Sequence, residues 1–226
     1  AETVSKVAAL NRQAIESIHS LHVRYSVTKF ATGHSQGNTI SGECWLSGTS
    51  LRNKWQAGGS AGDILVADGR IVTLVESDDQ AVTRRKAGSI SSDLGMPIAP
   101  CDPRYDGFQL VGMYRNSRSV LAPFQEAAVG RKILKVRTDD AGVTVELKAP
   151  AGFEGTTVFE FDPATNYSIK SLRVVGRVVR DKKTDVLGRI EETREAAPGV
   201  FFPARVRTEF FEEGVLTSWQ VVEFSN

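Results

Sequence analysis

Between Leu21 and Val23 the hydrophobic period of the chain changes, with no linker, from that of a helix to that of a strand. From Val7 to Leu21 the apolar residues Val7, Leu10, Ala14, Ile15, Ile18 and Leu21 recur every three or four positions, which predicts an amphipathic helix with one buried face. Val23, Tyr25 and Val27 then alternate with His22, Arg24, Ser26 and Thr28, the two-residue rhythm of a half-buried strand. A helix that runs straight into a sheet must bury its apolar stripe on that sheet, so the class is α+β.

Strand-like segments follow at Asn38–Leu46, Ser50–Ala57, Asp63–Ala67 and Arg70–Glu76, separated by breaks so short that neighbours must be antiparallel. Asp68-Gly69 predicts a two-residue hairpin, because both central positions of that turn need positive φ, which Asp tolerates and Gly accepts freely. The stretch from Gly88 to Gly130 carries Pro97, Pro100, Pro103 and Pro123, shows little alternation, and predicts a short helix around Ser119–Ala128; it is expected to cover the sheet. The strand rhythm returns at Arg131–Thr138, Val143–Ala149, Thr156–Phe161, Tyr167–Arg180, Gly188–Glu195, Arg205–Phe211 and Leu216–Phe224. Between them the turns Asp139–Gly142, Asp162–Asn166 and Glu212–Gly214 are rich in residues that reverse a chain. The expectation is one large, strongly curved antiparallel sheet of about eleven strands, with the N-terminal helix and a helical or loop cap on its concave side.

A chain of 226 residues, 41% hydrophobic and 24% charged, can bury one substantial core, so residues 1–226 are read as a single domain. Lys and Arg number 28 against 27 Asp and Glu, which removes the broad positive field that a nucleic-acid binder needs. No apolar run approaches the roughly 20 residues that cross a bilayer as a helix. The start at Ala1-Glu2-Thr3 fits export with the signal peptide removed, hence a periplasmic or otherwise exported protein. The two cysteines, Cys44 and Cys101, could form one disulfide in an oxidising compartment or remain buried thiols, and their spacing matches no zinc or redox motif.

Catalytic signals are weak. Gly33-His34-Ser35-Gln36-Gly37 satisfies the nucleophile-elbow pattern, but a strand rather than a helix is expected after it, and no histidine follows His34 to serve as base. It reads better as a hairpin loop. His19 and His22 are spaced for a shared metal, yet nothing completes a site, and they are expected near the end of the first helix. Arg84-Arg85-Lys86 ends a strand-like run, where charge usually blunts a sheet edge. No catalytic residue, metal or cofactor is expected.

The aromatic residues are more informative, because Trp45, Trp55, Phe159, Phe161, Phe210, Phe211, Trp219 and Phe224 all fall on expected strands. A sheet this large and curved can enclose more volume than its own side chains fill. Gly42-Glu43-Cys44-Trp45-Leu46, then Leu51-Arg52-Asn53-Lys54-Trp55, then Asp63-Ile64-Leu65-Val66-Ala67-Asp68-Gly69-Arg70 resemble, in that order, the periplasmic lipoprotein-carrier (LolA-like) superfamily. Phe161-Asp162-Pro163 and Gly199-Val200-Phe201-Phe202-Pro203 are similar to the outer-membrane lipoprotein-sorting proteins of that group. The resemblance implies an unclosed half-barrel, no enzymatic activity, and an apolar cavity that takes a lipid or an acylated protein. Trp45, Trp55, Leu65, Phe159, Phe161 and Trp219 are the expected lining, although alternation alone does not say which face is concave. The alternative is an envelope protein-interaction or sensor module whose core is filled by its own side chains.

Overall fold

A computed structural model describes residues 2–34, 36–48, 50–67, 70–77, 82–85, 124, 128, 131–149, 154–179 and 182–225. The first element is α1 (Glu2–Ser17), followed by β1 (Ser20–Ala31), β2 (Asn38–Ser47), β3 (Ser50–Ala57), β4 (Ser60–Ala67), β5 (Arg70–Ser77) and β6 (Val82–Arg85). The second half supplies β7 (Ile133–Asp139), β8 (Gly142–Lys148), β9 (Thr156–Asp162), β10 (Ser168–Val179), β11 (Lys182–Ala197), β12 (Val200–Glu212) and β13 (Val215–Ser225). All thirteen strands, where about eleven were expected, lie in one sheet in the order β6-β5-β4-β3-β2-β1-β13-β12-β11-β10-β9-β8-β7. Two meanders are thus joined where the last strand pairs with the first, with Tyr25 opposite Phe224 and Val27 opposite Val222. The edge strands β6 and β7 are not paired to each other, so the sheet is an unclosed half-barrel.

Alternation decides which face is inside. Val23, Tyr25 and Val27 of β1, Cys44 and Leu46 of β2, Phe202, Ala204 and Val206 of β12, and Val222 and Phe224 of β13 are all buried. Strand register carries this inner face through Leu172 of β10, Phe159 and Phe161 of β9, and Val143, Val145 and Leu147 of β8. Helix α1 turns Val4, Val7, Ala8 and Asn11 inward and packs against β10 and β12. Asn11 Nδ2 donates to the Tyr167 carbonyl at 3.0 Å, fixing the helix at the start of β10. The helix ends at Ser17, earlier than the expected Leu21, since Leu21 already pairs with Leu46 in the sheet.

The expected turns are present where they are described. Asp139 Oδ1 accepts from the Ala141 N–H at 2.9 Å, and Gly142 follows with φ 136°. A Cβ on Gly142 would fall inside van der Waals contact with the Phe161 carbonyl oxygen, so the close approach of β8 to β9 requires glycine there. Asp162 Oδ1 accepts from the Ala164 N–H at 2.8 Å and opens a 3₁₀ turn over Pro163–Thr165. Ala67 pairs with Arg70, a two-residue reversal, while Asp68 and Gly69 themselves lie outside the described residues. Most of the expected covering segment, including Cys101, lies outside them too. Cys44 is a free, buried thiol.

Candidate ligand-binding site

The first part of the site is built on β1 to β4, where two large side chains lean across two glycines. Tyr25 of β1 occupies the space over Gly42 of β2, and the Trp55 indole of β3 occupies the space over Gly62 of β4; a Cβ at either glycine would collide with the ring. Register places Trp55 between Gly42 and Gly62, so the indole has no side-chain neighbour directly beside it on either strand. Tyr25 Oη donates to Asn53 Oδ1 at 2.8 Å, a buried polar contact on an otherwise apolar face. The Trp55 Nε1–H is buried without a hydrogen-bond partner among the described residues.

At the other end of the inner face Phe159 and Phe161 are each 1% exposed. The Phe124 ring, fully buried, meets both edge-on, with centroids 4.8 Å and 4.9 Å away. Arg131 latches the adjoining strands, its Nε donating to the Lys148 carbonyl at 2.8 Å and its Nη2 to Thr157 Oγ1 at 2.6 Å. Burial of this guanidinium pushes its pKa below the usual arginine value.

Trp45 and Trp219 stand on the opposite, outer face and do not converge with Trp55, Phe159 and Phe161. Trp45 stacks on His22 at 4.9 Å, with Lys54 Nζ 5.7 Å and the Arg52 guanidinium 5.9 Å from its ring centre. Glu43 accepts from Arg24 at 3.1 Å and stands 3.7 Å from His22. Next to this cluster is an open furrow of about 370 Å³, bordered by Glu43, Lys54 and Asp63 and also by Gly42, Trp55 and Gly62. Trp219 stacks on Phe30 at 5.1 Å, beside Arg207, whose guanidinium shares Glu209 with Arg189. The backbone of Leu65 pairs with Arg52 and Thr73.

Sequence reasoning missed a polar row on the inner face. Lys29, Gln220, Thr208 and Gly188 are consecutive cross-strand partners on β1, β13, β12 and β11. Gln220 and Thr208 are 4% and 0% exposed, and Gln220 Nε2 and Thr208 Oγ1 have no hydrogen-bond partner among the described residues. The signal was strand phase: Lys29 is in step with Val27, Thr208 with Val206, and Gln220 with Val222.

The catalytic alternatives gain no support. The segment with Ser35, itself outside the described residues, links β1 to β2, so a strand follows it where an elbow needs a helix. His19 lies between α1 and β1, and His22 is on β1 rather than at the helix end. No group of three or more metal-ligating side chains occurs among the described residues. Likewise, no helix among them is long and apolar enough to cross a membrane.

An unclosed antiparallel half-barrel with an amphipathic helix on its inner face is the LolA-like fold, and this chain has it. It is similar to a LolA superfamily protein from Nitrosomonas europaea, with a TM-score of 0.56 and 12% identity over 97% of this chain and 91% of that one. A putative outer membrane lipoprotein-sorting protein domain from Vibrio parahaemolyticus matches with a TM-score of 0.56 and 10% identity, over 98% of this chain and 89% of that one. A DUF1329 family protein from Desulfovibrio piger matches with a TM-score of 0.54 and 12% identity, over 99% and 91%. No protein-family model and no curated protein matches the sequence. Identities this low establish a common fold and leave function to the site itself.

Proposed function

We propose that the protein binds a hydrophobic ligand, a lipid or the acyl chain of an acylated protein, on the inner face of its half-barrel, as a non-enzymatic component of the bacterial cell envelope. The fold it shares with a lipoprotein-sorting domain supports this reading. The observation that carries it is Trp55: a large aromatic surface between two glycines on the inner face, with a buried indole N–H that has no hydrogen-bond partner among the described residues. Leaving such a donor unpaired costs about 1–3 kcal/mol, a cost removed when a ligand oxygen accepts from it. Trp55, Phe159 and Phe161 are the inner-face residues of the expected lining; Trp45 and Trp219 serve the outer surface.

The test uses protein purified gently from an envelope fraction and weighed by native mass spectrometry before and after organic extraction. A co-purifying mass that extraction removes, and saturable uptake of a fluorescent fatty acid that quenches tryptophan emission, are the expected results. A bare polypeptide in both samples, with no uptake by the folded, extracted protein, refutes the proposal.

One observation favours the second reading, an interaction or sensor module. Phe124 fills the space against Phe159 and Phe161 as a core residue does, so that end of the inner face is packed by the protein itself. On that reading the open furrow and the Trp45 cluster would meet another envelope protein.

A further inference from the structure

We propose that β7, at one edge of the sheet, is a docking site for an extended acidic segment of another protein, which adds to the sheet as a further strand. The proposal goes beyond the ligand-binding reading and does not depend on it.

The two edges differ. β6 has four residues, whereas β7 has seven, is paired with β8 on one side, and has no strand on its other side among the described residues. Sheets blunt an edge by keeping it short, which β6 does and β7 does not. A typical strand has about 5–6 residues, so β7 is long enough to template another. Every residue of β7 is exposed except Val136, which is half-buried. Ile133 and Leu134 are 40% and 43% exposed, so the strand offers uncovered apolar surface together with its backbone.

Register sets what an added strand meets. Val136 lies opposite fully buried Val145 and prolongs the apolar inner face, whereas Lys135 and Arg137 lie opposite Glu146 and Thr144 on the outer face. The pairing slips between Ile133 and Lys135, leaving Leu134 as an extra residue, and is regular from Lys135 to Asp139. A strand laid beside this run finds valine on one face and two cations on the other, which alternating apolar and acidic residues match. Lys135 and Arg137 are exposed and form no ion pair among the described residues. Asp139, the acid of β7, already accepts from the Ala141 N–H in the turn.

The same charges reject a second copy of this chain. Antiparallel pairing of β7 with its own copy about a twofold axis sets one residue opposite itself. Centring on Lys135 or Arg137 opposes that cation to itself, and centring on Val136 opposes Lys135 to Arg137. Like charges directly opposite destabilise a strand pair and opposite charges stabilise it, so an acidic partner is selected. Edge lysines also serve purely as guards against pairing, but a guard alone does not account for the length of β7 or for exposed Ile133 and Leu134.

The test titrates fluorescent heptapeptides that alternate valine with glutamate, serine or lysine into the full chain, read by anisotropy. The glutamate peptide is expected to bind about tenfold more tightly than the serine peptide, the worth of two cross-strand charge pairs, and the lysine peptide more weakly than either. Lys135→Glu/Arg137→Glu, altered only at exposed positions, should reverse that order. Hydrogen exchange separates strand addition from charge attraction. Alternate amides of an edge strand point away from its neighbour; those of β7 should exchange quickly in the free protein and slow about tenfold or more with the glutamate peptide bound. Equal binding of the three peptides, an order unaltered in the double variant, or binding that leaves those amides unprotected overturns the proposal. So does protection already present in the free monomer, which would mean that the chain covers this edge itself, or protection by a dimer, which would make a second copy the occupant. Fatty-acid uptake is read separately, so failure here leaves the ligand-binding reading standing.

Discussion

Replacing Phe124 by alanine tests whether the inner face at β8 and β9 is structural core. The ring is fully buried and contacts Phe159 and Phe161 edge-on, at 4.8 Å and 4.9 Å between centroids. Truncating a buried phenylalanine costs about 3–5 kcal/mol, because the lost transfer energy is compounded by the cavity left behind. Two edge-to-face aromatic pairs supply about 0.5–1.5 kcal/mol each of that total. Domains are stable by about 5–15 kcal/mol, so the loss is a large fraction of the whole. In urea, with a slope near 3 kcal/mol/M for a chain of this length, the midpoint should fall by about 1–1.7 M. Phe124→Leu, which restores most of the volume but not the ring edges, should cost about 1–3 kcal/mol, the worth of the two lost edge-to-face pairs. If alanine costs less than about 1 kcal/mol, Phe124 is not holding Phe159 and Phe161, and the packed-core account of this end of the sheet fails.

Tyr25→Phe removes the buried donor to Asn53 Oδ1 and is expected to cost about 1–2 kcal/mol by urea denaturation; a neutral result would show that the contact is dispensable. Gly142→Ala combines a φ of 136° with a clash against the Phe161 carbonyl and should cost more than about 2 kcal/mol, read as a lowered Tm. Gly62→Ala must displace the Trp55 indole, so tryptophan emission should shift in the folded, ligand-free protein, and unchanged emission would contradict the position given to Trp55. Cys44 should resist thiol labelling until the protein is unfolded, as followed on its own peptide by mass spectrometry, because its side chain is sealed within the inner face.

The architecture was legible in the sequence because β alternation, tight turns and one amphipathic period are local signals. The helix end was misplaced for a specific reason: Leu21 satisfies both the helical spacing from Ile18 and the two-residue spacing to Val23, and the pairing of Leu21 with Leu46 decides between them. The helix start at Glu2 depends on Val4, which pattern alone did not link to Val7. The faces of the expected lining residues were only half legible. Trp55 and Trp45 both look like core aromatics in a strand, yet they fall on opposite faces, because Trp55 is in register with Gly42 whereas Trp45 is in register with His22 and Arg52. Face assignment needs an anchored register, and hydrophobicity cannot supply it when the outer face carries tryptophans stacked on His22 and Phe30. Gln220 and Thr208 were passed over because polar residues in a strand are assumed to face water, although their phase with Val222 and Val206 placed them inside.

The two functional readings divide along the sheet rather than excluding each other. At β8 and β9 the inner face is closed by Phe124, and no ligand is needed to bury Phe159 and Phe161. At β3, β12 and β13 it holds Trp55, Thr208 and Gln220, with buried polar atoms that have no partners among the described residues. A core filled throughout by its own side chains would have no reason to keep a hydroxyl and an amide in step with three fully buried valines, since valine or leucine there would avoid the desolvation cost. A large open cavity, in turn, would leave more than a few per cent of those side chains accessible.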